Sequence, residues 1–154
     1  MKKINKYKNV GLIISEELLA SLEKCALEHY PNECGGFLIG HYSQDFKQLY
    51  VLDHILPDKY KSMPCLFERK IDGIEEIFEE VFYDKKQYYV GEWHTHPNDS
   101  SMYSLTDLNA MIQISNHDSV NIENPILLIL SIRKNTIQDI SIYLYDNKRL
   151  YRYE

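Results

Sequence analysis

The sequence has three cysteines, Cys25, Cys34 and Cys65, and no CxxC pair. An odd number without paired spacing argues against a disulfide framework. No apolar run approaches the roughly 20 residues that a membrane helix needs, and nothing at the start reads as a secretion signal. The expectation is a soluble, cytoplasmic protein that engages no membrane. Basic clusters are also missing. Formal net charge is -6, from 23 acidic and 17 basic residues, and only MKKINKYK at the start is locally basic. Nucleic-acid backbones are held by clustered lysine and arginine, so nucleic acid is not expected as a partner. The basic octet reads as a frayed or solvated start. Repeats, linkers and low-complexity tracts are absent, and 154 residues suit a single domain over 1–154. Such a domain buries roughly 68–70% of its unfolded surface. It needs no metal staple to fold, so a metal here would serve function.

Strand and helix signals alternate along the chain. Residues 10–14, VGLII, read as a strand, and Ser15 caps a helix whose apolar face carries Leu18, Leu19, Leu22, Ala26 and His29. Pro31 and Asn32 end it. ECGGFLIGHY and LYVLDHIL form a hairpin around the polar turn at 43–47. Residues 57–70 hold two prolines and no period, and read as a loop. Residues 71–84 are an amphipathic helix with Ile74, Ile77, Phe78, Val81 and Phe82 in its stripe. A strand over 88–94 follows, then a helix from Ser104 with Leu105, Leu108, Met111 and Ile112 facing inward. PILLILSI, 125–132, is apolar throughout, as a central strand covered on both faces would be. Ile140, Ile142 and Leu144 alternate in the next strand, and LYRY closes the chain as an edge. Helices packed on a mixed-direction sheet are the simplest layered solution.

The chemistry gathers in EWHTHPNDSSMYSLTD, residues 92–107. His94 and His96 are two apart, so a strand puts both imidazoles on one face and Thr95 on the other. Two neutral imidazoles suit a borderline-soft ion such as zinc. Asp107 is the best third ligand, in the first turn of a helix whose dipole favours an anion. Two histidines and one carboxylate leave a coordination position open, the pattern of catalytic sites. Glu33 is the candidate acid/base, and Ser104 the donor to a developing oxyanion. Gly35 and Gly36 permit close approach of another chain or backbone. Each piece has a plainer reading by itself: HxH as ordinary strand residues, SLTD as a helix cap, Glu33 as a solvated acid. Their joint order and spacing favour the site.

ECGGFLIG, GEWHTHP and then SLTD, with Ser104 closing the seven-residue interval after His96, resemble the signature of JAMM/MPN metalloproteases. All five functional positions are filled; Gly91, Trp93 and Pro97 match as well. The resemblance implies zinc, one per chain, on His94, His96 and Asp107, with Glu33 as general acid/base and Ser104 stabilising the tetrahedral intermediate. It implies an α-β-α sandwich with a mixed sheet, related to cytidine deaminases. It also implies hydrolysis of isopeptide or peptide bonds at the C-terminus of ubiquitin-like proteins. The compact size is similar to the prokaryotic JAB branch. Some members of that branch sit beside ubiquitin-activating-like and conjugating-like enzymes, including in CBASS anti-phage operons, where they deconjugate or process a protein. Two departures stand out. Tyr103 replaces the common proline before the serine, leaving the lead into Ser104 less restrained. Segments 58–70 and 118–124 are short beside those with which eukaryotic deubiquitinases grip ubiquitin, which argues against tight binding of ubiquitin itself.

An extended substrate tail would pair with an exposed strand edge and thread small residues past Gly35 and Gly36. Met63, Leu66 and Phe67 read as core, and Arg69 and Lys70 as solvated charges. Cys34 faces the core if Glu33 faces the cleft, which makes it an inert buried thiol. Cys25 lies near the apolar helix face. His29, His41, His54 and His117 lack ligand spacing to one another and read as structural or surface residues. Competing functions are a zinc hydrolase of a small molecule or sulfur-carrier precursor, and a catalytically silent scaffold; a silent scaffold usually lacks a ligand, and none is missing here. A nucleobase deaminase would need HxE and PCxxC, and neither occurs.

Overall fold

A computed structural model describes residues 1–56, 74–118 and 120–154. The expected loop at 57–70, with Met63, Cys65, Leu66, Phe67, Arg69 and Lys70, lies outside the described residues, as does Ser119 of the 118–124 segment. The elements run β1 (Lys2–Asn5), β2 (Val10–Ile14), α1 (Glu16–His29), β3 (Gly35–Tyr42), β4 (Gln48–Ile55), α2 (Ile74–Lys85), β5 (Tyr88–Pro97), α3 (Leu105–Ser115), β6 (Ile126–Arg133), β7 (Thr136–Asp146) and β8 (Arg149–Arg152).

Among the described residues the strands join one eight-stranded sheet in the order β1-β2-β4-β3-β5-β6-β7-β8. β2 with β4 and β5 with β6 are parallel; the other pairs are antiparallel. The sheet is therefore mixed, as expected. β6 shows why its sequence is apolar throughout. Ile126, Leu128, Leu130 and Ile132 enter one core with Leu18, Leu22 and Ala26 of α1. Leu127 and Ile129 enter a second core with Ala110, Met111 and Ile114 of α3. Phe78 of α2 packs against that second core. Period-two alternation thus feeds both faces, and helices cover both.

Several expectations are corrected. The basic start is solvated but not frayed: Lys2, Lys6 and Lys8 are exposed, and Lys2–Asn5 pairs antiparallel with β2. Its outer edge meets the chain end, because Ile4 and Glu154 exchange two backbone hydrogen bonds of 3.0 Å. Asn5, fully buried, donates its side-chain amide to the Tyr151 carbonyl at 2.9 Å. β8 is the edge strand that its sequence predicts, and Asn5 of β1 ties its backbone at one point. Leu105 does not face inward; it is 73% exposed, and Ala110 and Ile114 take the buried positions. The cap at Ser104 sets the helix phase, and that phase turns Asp107 rather than Leu105 toward the sheet. β5 extends to Pro97 because its parallel ladder with β6 continues that far. In β7 the alternation holds, with Ile142 and Leu144 in one core and Tyr143 and Tyr145 in the other, so burial is continuous over Ser141–Tyr145. Gly35 and Gly36 serve neighbouring strands: a Cβ on Gly35 would lie 2.3 Å from the Trp93 carbonyl oxygen, and one on Gly36 2.4 Å from that of Ile55.

Candidate metal centre

β5 supplies His94 and His96, and the crossover to β6 supplies Asp107 through α3. The parallel β5–β6 pairing demands a crossover, and α3 lands its first turn against the histidines. Their Nε2 atoms are 3.0 Å apart. Asp107 Oδ1 lies 3.2 Å from His94 Nε2, and Oδ2 lies 3.4 Å from His96 Nε2. The three donors all lie within 4.8 Å of one another.

Two of the three ligands, His96 and Asp107, are oriented by a second contact. His96 Nδ1–H donates to the Ser100 carbonyl at 2.8 Å. That bond places a proton on Nδ1 and turns Nε2 to the centre, the orientation that metal-binding histidines require. Asp107 Oδ2 accepts the Ser104 amide at 2.7 Å, while Ser104 Oγ accepts the Asp107 amide at 3.1 Å. This is a capping box with aspartate at its third position. The hydroxyl proton of Ser104 remains available to donate outward, and the residue is exposed.

Electrostatics agree with the geometry. Burial pushes the Asp107 carboxyl up, but hydrogen bonds from both imidazoles, the charge of His94 and the Ser104 amide outweigh it, holding the acid well below the carboxylate range. Burial lowers His96, yet its bonds to Asp107 and the Ser100 carbonyl, with the charges of Asp107 and Glu33, leave it raised above 6.5. Glu33 therefore stands within electrostatic reach of the centre, exposed, at the entry to β3. Its placement depends on Thr95, which sequence reasoning assigned only to the far face. Thr95 is fully buried; its Oγ1 accepts the Cys34 amide and its own amide donates to the Cys34 carbonyl, both at 2.8 Å. The residue between the two histidines thus clamps the residue after Glu33. A threonine at the middle of HxH was the available signal.

The lead into Ser104 is restrained without a proline. Ser101 Oγ donates to Asp139 Oδ2 at 2.5 Å, Ser131 Oγ to the Asp99 carbonyl at 2.5 Å, and Tyr143 to the Ser101 carbonyl at 3.1 Å. Tyr103 itself packs edge-on against Tyr143. Glu92 was not singled out by its sequence. It sits two residues before His94, 5% exposed, and among the described residues its Oε1 has no hydrogen-bond partner. Burial pushes its carboxyl up to about 8.

Two imidazole nitrogens and a carboxylate, converging, with His96 and Asp107 held by further contacts, fit zinc with an open position. A mixed sheet between helices that presents this donor set with a capping serine defines the metalloprotease class of JAMM type. The chain belongs to the JAMM/MPN zinc-metalloprotease family, and the model for prokaryotic homologs of the JAB domain matches residues 15–143. Among curated proteins it is similar to a CD-NTase/cGAS isopeptidase of Enterobacter hormaechei subsp. hoffmannii, at 28% identity over 120 residues. That match covers 77% of this chain and 66% of the relative, so the chain spans just under two thirds of the relative's length. Solved structures share the fold. A protein from Desulfitobacterium hafniense matches with TM-score 0.65 and 15% identity, over 92% of this chain and 88% of that one. A JAB1/MPN domain protein from Archaeoglobus fulgidus matches with TM-score 0.54 and 17% identity, over 93% and 92%.

Among the described residues no helix is long and apolar enough to cross a membrane.

Proposed function

We propose that residues 1–154 act as a single-domain zinc isopeptidase that hydrolyses the bond after the C-terminal tail of a ubiquitin-like protein. The observation that carries this reading is the convergence of His94, His96 and Asp107 within 4.8 Å, beside the charge of Glu33. Bound there, one zinc would lower the pKa of water toward neutrality and polarise a carbonyl. Glu33 accepts the proton of the attacking water and returns it to the leaving amine. Ser104, its lone pair committed to the Asp107 amide, donates its hydroxyl to the developing oxyanion. Thr95 keeps Glu33 in register through Cys34.

The similarity to a CD-NTase/cGAS isopeptidase supports an isopeptide substrate and a role in a CBASS-type anti-phage system, with activating-like and conjugating-like enzymes as co-workers. The sheet supports delivery of an extended tail. β2 pairs with β4 only as far as Val51, so among the described residues no strand covers the outer edge of Leu52–Ile55. Ile55 adjoins Gly36, and Gly36 pairs with Trp93 next to His94. A tail added to that edge would run toward the centre.

The test is cleavage of ubiquitin-like domains fused through their C-termini to reporter proteins, read as intact masses, with Glu33→Gln alongside. The expected result is one product ending at a defined carbonyl, absent with the variant, while the variant keeps its zinc. Full activity of Glu33→Gln would remove Glu33 from the reaction. Hydrolysis of small amides without cleavage of any fusion would favour a small-molecule hydrolase instead.

A further inference from the structure

A second group of donors lies behind the first. Cys25 and His29 are four apart on α1, one helical turn, so they share a face. Cys34 arrives beside them from the entry to β3. The three donor atoms lie within 4.8 Å of one another, and Cys25 Sγ is 3.7 Å from His29 Nδ1. A tetrahedral ion with a metal–sulfur bond of about 2.3 Å and a metal–nitrogen bond of about 2.0–2.1 Å sets its sulfur and nitrogen ligands about 3.6 Å apart. Both thiols are buried, at 6% and 1% exposure, within the apolar core that contains Leu22, Ala26, Leu38 and Trp93. His29 is half-exposed and gives the group its one side toward solvent.

We infer that Cys25, His29 and Cys34 form a second metal site, for a thiophilic d10 cation such as zinc(II) or copper(I), on the sheet face opposite His94 and His96. Softness selects the class: two thiolates and an imidazole favour zinc and copper(I) over magnesium or calcium. Three donors complete a trigonal copper(I) centre, and zinc takes solvent as a fourth ligand from the His29 side. Binding releases the two thiol protons. The His29 Nδ1–H, which donates to the Cys25 carbonyl at 2.8 Å, moves to Nε2 as Nδ1 takes the cation. The site ties the end of α1 to the residue following Glu33, whose backbone Thr95 already grips. Its role is a structural clip behind Glu33, and it stands whether or not the proposed peptidase activity does.

The test uses the whole chain, reduced and stripped with chelator, titrated with cadmium(II) and followed by sulfur-to-metal charge-transfer absorption. The His94, His96 and Asp107 set holds no sulfur and is silent in that band. The expected result is a saturating band in the wild type, in Asp107→Ala and in Cys65→Ser, and its loss in Cys25→Ser and Cys34→Ser. His29→Gln, which alters no fully buried group, should keep the fold and weaken binding at least about tenfold. Competition with zinc and with copper(I) under reducing, anaerobic conditions then distinguishes the two cations. No sulfur band in the reduced wild type would overturn the site, as would a band that survives both cysteine substitutions. Unchanged affinity in His29→Gln would overturn the three-donor assignment.

Discussion

Asp107 carries two tasks that two substitutions separate. Its Oδ2 caps α3 by accepting the Ser104 amide at 2.7 Å. Its carboxylate also faces both imidazoles, at 3.2 and 3.4 Å. Asp107→Ala removes cap and charge together; Asp107→Asn keeps an acceptor for the Ser104 amide and removes only the charge. Zinc bound by four protein ligands gains about 10–16 kcal/mol. One ligand is then worth on the order of 3 kcal/mol, or about a hundredfold in affinity. Both variants are expected to lose about that much, measured by competition with a chromogenic chelator. The cap is worth about 1 kcal/mol, which at this chain length is about 2–4 °C in Tm. In chelator-stripped protein only Asp107→Ala should show that loss relative to Asp107→Asn, read by thermal unfolding. Wild-type zinc affinity in Asp107→Asn would refute the ligand assignment. Equal Tm for the two stripped variants would refute the cap.

Gly35→Ala sets a Cβ 2.3 Å from the Trp93 carbonyl oxygen and 2.9 Å from His94 Cβ. The strands must part at the centre, costing about 1–3 kcal/mol and weakening zinc; unchanged Tm and affinity would contradict the close-approach argument. Glu92 is protonated in the folded state up to about 8 against an ordinary 4.5. The folded state therefore holds the extra proton, and stability falls as pH rises through that window, by at most about 5 kcal/mol. In metal-free protein Glu92→Gln should flatten that loss, measured by urea midpoints at both ends of the window; equal pH slopes for variant and wild type would count against it. His96, raised above 6.5, holds its proton against the metal. Zinc affinity should already decline above pH 6.5 on acidification, and an affinity flat across the histidine range would contradict this.

Much of the centre was legible because its parts are local. HxH needs only strand alternation to place two rings together, and SLTD needs only a helix start to place Asp107 in the first turn. The expectation for Glu33 rests on the family pattern rather than on any local rule, and 61 residues separate its neighbour Cys34 from the Thr95 that clamps it. Leu105 misled because a helix stripe read from sequence has no fixed phase; the cap fixed that phase, leaving the leucine 73% exposed. The basic start is solvated as read, but it is ordered because its strand pairs with β2 and bonds to Glu154, a partner far along the chain.

The Cys25, His29 and Cys34 group marks the same boundary. Four-residue spacing was visible between two of its members, but the third joins only when β3 enters beside α1. The sequence by itself determined which donors exist, which faces of strand and helix they occupy, and hence the class of metal they suit, because those properties follow from residue chemistry and short-range periodicity. Tertiary structure decided the rest: that α3 lands Asp107 against the histidines, that Thr95 clamps Cys34, the neighbour of Glu33, and that Glu92 is buried with its Oε1 lacking a hydrogen-bond partner among the described residues. Those outcomes depend on strand order and crossover packing, contacts between segments far apart along the chain that local propensity does not encode.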